Sequence, residues 1–121
     1  MSKTTPEIVT TLDFLEQISA KYNTTSTYGL AKLLGVSRQT IYHYKKGGVM
    51  KEGKLFLKVS RLLDTRLTWV SYNLMAEDAQ KCGEQDVADS FVQYAQQYAP
   101  KLAALSACFC LFFSHFQPPL I

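Results

Sequence analysis

The chain has 121 residues, 47% of them hydrophobic and 19% charged, which is enough apolar material for one folded core and too little charge for a disordered, self-repelling chain. The net charge of +3 is uneven: residues 1–73 hold 11 Lys/Arg against 5 Asp/Glu, a balance of +6, and residues 74–121 hold 2 against 5, a balance of −3. Basic charge confined to the N-terminal part is the pattern of a chain that meets a polyanion at one end.

The first element is expected near the start, where Thr4 with Glu7 fits a capping box, or Thr5 caps with Pro6 at the first helical position. Ile8, Leu12, Leu15, Ile18 and Tyr22 then recur at helical spacing, and the polar run Asn23-Thr24-Thr25-Ser26 stops the helix. Thr27, a capping type, opens a second helix to Leu34, and Gly35-Val36-Ser37 interrupts it. Ser37 can cap a third helix, Arg38–Lys46, which Gly47-Gly48 ends. A fourth runs from about Met50 to Leu63 with Leu55, Val59, Leu62 and Leu63 inward, and Gly53 near its start. Asp64 or Thr65 can cap a fifth helix carrying Leu67, Val70, Leu74 and Met75. Glu84–Tyr98 is a sixth, with Val87, Phe91, Tyr94 and Tyr98 as its apolar stripe and Pro100 as its breaker. No Asn-Gly or Asp-Gly hairpin signal is present, so the fold class is all-α.

The segment Thr27–Lys46 carries the functional signal. Two short helices that cross steeply through a tight turn need a small residue at their contact, and Ala31 stands there. The turn needs a residue that accepts a left-handed backbone, and Gly35 follows four residues later. Ile41 and Tyr44 then supply the inner side of the second helix, together with Leu30, Leu34 and Val36. Ala31, Gly35, Ser37, Ile41 and Tyr44 are thus the structural positions of a helix-turn-helix. Tyr28, Phe56 and Trp69 lie beside apolar stripes and are expected in the core with Tyr44, whose hydroxyl then needs a partner at the domain edge.

On these residues the chain resembles the lambda-repressor-like (Cro and repressor) helix-turn-helix family over about Pro6–Ala76. The run Leu63-Asp64-Thr65-Arg66-Leu67-Thr68-Trp69-Val70 is similar to the family's passage from its fourth helix to its fifth, and the tail is similar to small phage-encoded members. The resemblance implies a five-helix DNA-binding domain, placed at residues 1–76, whose third helix enters the major groove of double-stranded DNA. A C-terminal helical, hydrophobic extension would occupy 77–121.

Side-chain chemistry agrees with it. Arg38, Gln39, Tyr42, His43 and Lys46 face away from Ile41 and Tyr44. Arg binds guanine bidentately and Gln adenine, so Arg38, Gln39, Tyr42 and His43 are the expected base readers. Thr27 at a helix N-terminus, with Lys32, Lys45, Lys46, Lys51 and Lys54, is expected to hold phosphates. The span from Thr27 to Arg66 holds 9 basic and 2 acidic residues, a balance of +7.

The extension has another job. Phe91, Tyr94 and Tyr98 are followed by Leu105, Phe109 and Phe112, within a stretch from Leu102 to Ile121 that has no formal charge. Three placements compete for it: pairing of two chains, association with the inner membrane, and packing back on the domain. Its densest run, Leu102–Phe113, is 12 residues, short against the roughly 20 of a spanning helix. A reader of this kind is expected to work as a homodimer on operator half-sites.

The expected product is a sequence-specific transcriptional regulator, a phage or prophage repressor. The alternative is an adaptor or antitoxin-like protein whose C-terminal segment docks a partner. Cys82, Cys108 and Cys110, an odd set without metal spacing, point to free thiols in the cytoplasm, and the polar start lacks the apolar segment of a secretory leader. No catalytic motif, metal set or cofactor motif is present, so neither an enzyme nor a small-molecule substrate is inferred.

Overall fold

The computed structural model describes residues 7–100, which form six α-helices and, among these residues, no strand. They are α1 (Thr11–Tyr22), α2 (Thr27–Leu34), α3 (Arg38–Lys45), α4 (Gly53–Leu63), α5 (Leu67–Lys81) and α6 (Gln85–Gln96). The all-α class and the order of elements follow the sequence reading, with several ends and faces shifted. Thr4, Thr5 and Pro6, and the extension from Lys101 with Leu105, Phe109 and Phe112, lie outside the described residues.

Helix α1 starts later than Thr4 with Glu7 predicts, because residues 7–10 are not helical. Its capping box is Thr10 with Asp13: the Asp13 amide donates to the Thr10 hydroxyl oxygen and the Thr10 amide to the Asp13 carboxylate, at 3.2 and 3.0 Å. The inner face is also rotated from the expected one. Phe14, Leu15 and Ile18 are buried, while Leu12 is 40% exposed. Tyr22 sits at the edge, where its hydroxyl donates to the Leu62 carbonyl at 2.7 Å and satisfies the end of α4.

Ser26, not Thr27, caps α2, accepting from the Gly29 amide at 2.8 Å. Asp64 and Thr65 do not cap α5. Asp64 terminates α4 in the left-handed region at φ 57°, and Arg66 is the residue before α5, without a side-chain cap. Met50 is not helical but is fully buried, and α4 opens at Gly53 instead. Leu67 is 44% exposed, so the core face of α5 is Trp69, Val70 and Leu74. Trp69 meets Phe14 edge-to-face, ring centres 5.4 Å apart, and joins α5 to α1.

Helix α6 folds back on α5 after a turn at Gly83 (φ 81°), and this is the most extensive helix pair in the fold. The expected stripe is not the one that is buried. Ala88, Val92 and Ala95 face α5, where Ala76 and Ala79 are buried as well. Small side chains on both helices let the axes approach closely; Val87 and Tyr94 are exposed, while Phe91 and Tyr98 are partly buried against Tyr72 of α5.

A buried polar junction ties α1 to α5 and to the segment after α3. Glu77 Oε1 accepts from both the backbone amide and the hydroxyl of Thr11, each at 2.8 Å. The Thr11 hydroxyl oxygen in turn accepts from the Met50 amide at 3.0 Å. One turn earlier on α5, Asn73 accepts from the Val9 amide at 2.9 Å and donates to the Trp69 carbonyl. Thr11→Val keeps the shape and removes the hydroxyl, leaving the Met50 amide without its acceptor and Glu77 short of a donor. The expected loss is about 1–3 kcal/mol of unfolding free energy, read as a lower urea midpoint with an unchanged denaturant slope.

Candidate nucleic-acid interface

Helix α3 is built from both ends. Ser37 caps it, its hydroxyl oxygen accepting from the Thr40 amide at 3.1 Å. Before it, Gly35 takes φ 72°, and the Gly35 and Val36 amides both donate to the Ala31 carbonyl, at 2.8 and 3.0 Å. The left-handed residue is what turns the chain from α2 into α3 within three residues. Ala31, Ile41 and Tyr44 are buried between the two helices and the core, as the motif requires. Burial pushes the Tyr44 phenol above its ordinary value, and the nearby Glu52 carboxylate adds to the shift.

All four expected base readers are exposed on α3. Arg38 lies one turn before Tyr42, and Gln39 one turn before His43, so they form two adjacent rows on the outward face. Arg38 and Gln39 occupy the first turn, where the helix dipole is positive. The His43 imidazole lies against Gly48 in the turn that follows the helix.

The expected phosphate residues divide. Lys45 donates from Nζ to the Thr27 hydroxyl at 3.3 Å, which joins the start of α2 to the end of α3 in one cationic, hydroxyl-bearing spot. Lys46 and Lys54 are exposed at the end of α3 and the start of α4. Lys32 is exposed too, but its ammonium lies 5.5 Å from the centre of the Tyr28 ring. Lys51 is in an exposed ion pair with Asp78 of α5, at 3.5 Å, which holds it only weakly.

Two residues of this face were placed wrongly or passed over by sequence reasoning. Tyr28, expected in the core, is 58% exposed on α2 beside Lys32. Its spacing of four from Lys32 was the available signal. Lys81, at the end of α5, donates to the Gly47 carbonyl at 2.7 Å and so reaches the turn after α3 from 34 residues away. No local pattern announces that contact.

A family model described as helix-turn-helix matches residues 29–70, from α2 into the first turn of α5. Over that span the chain is similar to the lambda-repressor-like helix-turn-helix family. No curated protein and no solved structure matches the chain. The helix-turn-helix family is one of DNA-binding regulators and is generally non-enzymatic. Among the described residues, no three His, Cys, Asp or Glu side chains are grouped to hold a metal ion, and no helix is long and apolar enough to cross a membrane.

Because the folded chain holds the Tyr44 proton more tightly than the unfolded chain, Tyr44 supports folding below its ordinary pKa of 10.0 and loses that support as pH rises through the raised value. Unfolding midpoints measured from pH 8 to 12 should fall at the alkaline end, and less so in Tyr44→Phe.

Proposed function

We propose that this chain is a sequence-specific transcriptional regulator of the phage-repressor type that binds operator half-sites on double-stranded DNA as a homodimer in the cytoplasm. The observation that carries the reading is the outward face of α3. Arg38, Gln39, Tyr42 and His43 are exposed there together, on a helix capped by Ser37 and anchored by Ile41 and Tyr44. Arg38 suits a guanine edge and Gln39 an adenine edge, with His43 and Tyr42 reading one turn further along. Thr27 and Lys45 together suit one backbone phosphate, and Lys32, Lys46, Lys51 and Lys54 are further cations for the backbone. Such contacts position the domain and carry no sequence information, which separates their effect from that of Arg38.

What supports pairing is a second exposed face. Tyr72 of α5 packs with Phe91 and Tyr94 of α6 and with Tyr98 just beyond its end, with ring centres 6.0, 5.5 and 6.5 Å from its own. Tyr94 is 51% exposed, and this four-ring cluster has an open side. A single recognition helix touches few base pairs, so two copies on adjoining half-sites raise both affinity and specificity. The same face favours a second reading, an adaptor or antitoxin-like protein that docks a different chain there. Sedimentation of the purified protein separates the two, since the homodimer needs no other component and Tyr94→Asp should shift it to monomer.

Selection of bound sites from random duplex DNA tests the proposal. The expected result is a two-fold symmetric consensus with half-sites about 10 base pairs apart, one helical turn. Arg38→Ala should relax one position of each half-site by about 1–3 kcal/mol, whereas Lys45→Ala should weaken all sequences alike and lower the salt slope by about 1. Binding that is indifferent to both sequence and salt would falsify the reading.

A further inference from the structure

Resting on the reading of α3 as the base-reading helix, we propose that the Gly47-Gly48 turn, locked by Lys81, positions His43 and thereby sets the base preference at one place in each half-site. The turn contains two glycines that serve different ends. Gly47 has φ 106°, a backbone that side-chain-bearing residues rarely adopt. Gly48 has no such φ, so its backbone does not require glycine. What a Cβ at Gly48 would meet is the His43 ring, three atoms of which would have to move aside. The ring therefore lies directly on the backbone of the turn.

The peptide unit between Gly47 and Gly48 is held at both of its polar ends. Its N–H donates to the His43 carbonyl at 2.9 Å, which folds the turn back over the residue it positions. Its carbonyl accepts from Lys81 Nζ at 2.7 Å, across from the last turn of α5. With both ends satisfied the peptide plane cannot rotate without losing a hydrogen bond, and the surface beneath His43 is fixed. An exposed histidine would otherwise sample several rotamers and lose that freedom on meeting DNA; here the order is in place before binding. Lys81 makes its hydrogen bond to the turn and not to the ring, so it is a positioning residue acting through the turn.

The experiment uses the full chain in five variants: Gly48→Ala, His43→Ala, the double variant, Lys81→Met and Lys81→Arg. Site-selection profiles are compared position by position, and His43 ring resonances are recorded by NMR without DNA. Gly48→Ala should reduce discrimination at one base position about tenfold, at the place where His43→Ala acts, with the salt slope unchanged. The double variant should be no worse than His43→Ala alone. Lys81→Met should shift the ring resonances and weaken the same position by a smaller factor, and Lys81→Arg, which keeps a donor, should restore both. An equal effect of Gly48→Ala with and without His43 overturns the positioning role. So do unchanged ring resonances in both Gly48→Ala and Lys81→Met, whatever the DNA result. A wild-type chain with no sequence preference overturns the reading of α3 itself, an outcome distinguishable because the resonances are measured on the free protein.

Discussion

The Glu77 carboxylate is the junction on which the arrangement of helices turns. It lies at the start of α1, where the first amides of a helix have no partners of their own and the dipole is positive. By accepting the Thr11 amide and hydroxyl it fixes α1 on α5, and the Thr11 hydroxyl passes the constraint on to the Met50 amide. Three segments far apart in the chain therefore meet through two side-chain oxygens, Glu77 Oε1 and Thr11 Oγ1. A buried carboxylate is costly unless its acceptor capacity is used, so this contact selects one arrangement of α1, α5 and the segment after α3 over less complete ones. The buried Met50 side chain completes the same junction from the apolar side.

That junction explains why a helix as short as α3 can be held rigid. It has eight residues and buries only Ile41 and Tyr44, too little to stabilise a helix by itself. Its order is supplied from outside: by the Ser37 cap, by the Gly35 turn from α2, and by the following segment, which Met50 and Lys81 attach to the body of the domain. Exposed side chains on a helix held in this way can be presented without any of them contributing to the core. The cationic spot at Thr27 and Lys45 is assembled by the same fixed relation between α2 and α3.

The α5–α6 pair follows a different rule. Alanines line its seam, and the aromatic side chains are displaced to the flank. A helix with two apolar faces must choose which to bury, and close approach of the backbones favours the smaller residues when the partner also presents alanine. Among the described residues, the apolar side chains that follow α5 are thus divided between an internal alanine seam and a flank where Phe91, Tyr94 and Tyr98 meet Tyr72 of α5.

Sequence by itself determined the helical class, the helix-turn-helix at Ala31, Gly35 and Ser37, and the exposure of Arg38, Gln39, Tyr42 and His43. These depend on local matters: capping chemistry, a left-handed turn residue, and the outer side of a helix whose inner positions are marked by Ile41 and Tyr44. Only tertiary structure decided the rotation of α1 towards Phe14, the alanine seam of α6, the exposure of Tyr28, and the contacts of Glu77 and Lys81. A stripe of apolar residues shows that a face will be buried but not which of two neighbouring faces wins, because that depends on the size of the side chains opposite. A lysine or glutamate looks the same in sequence whether it is solvated or joined to a backbone group tens of residues away, since the partner is chosen by how the helices pack.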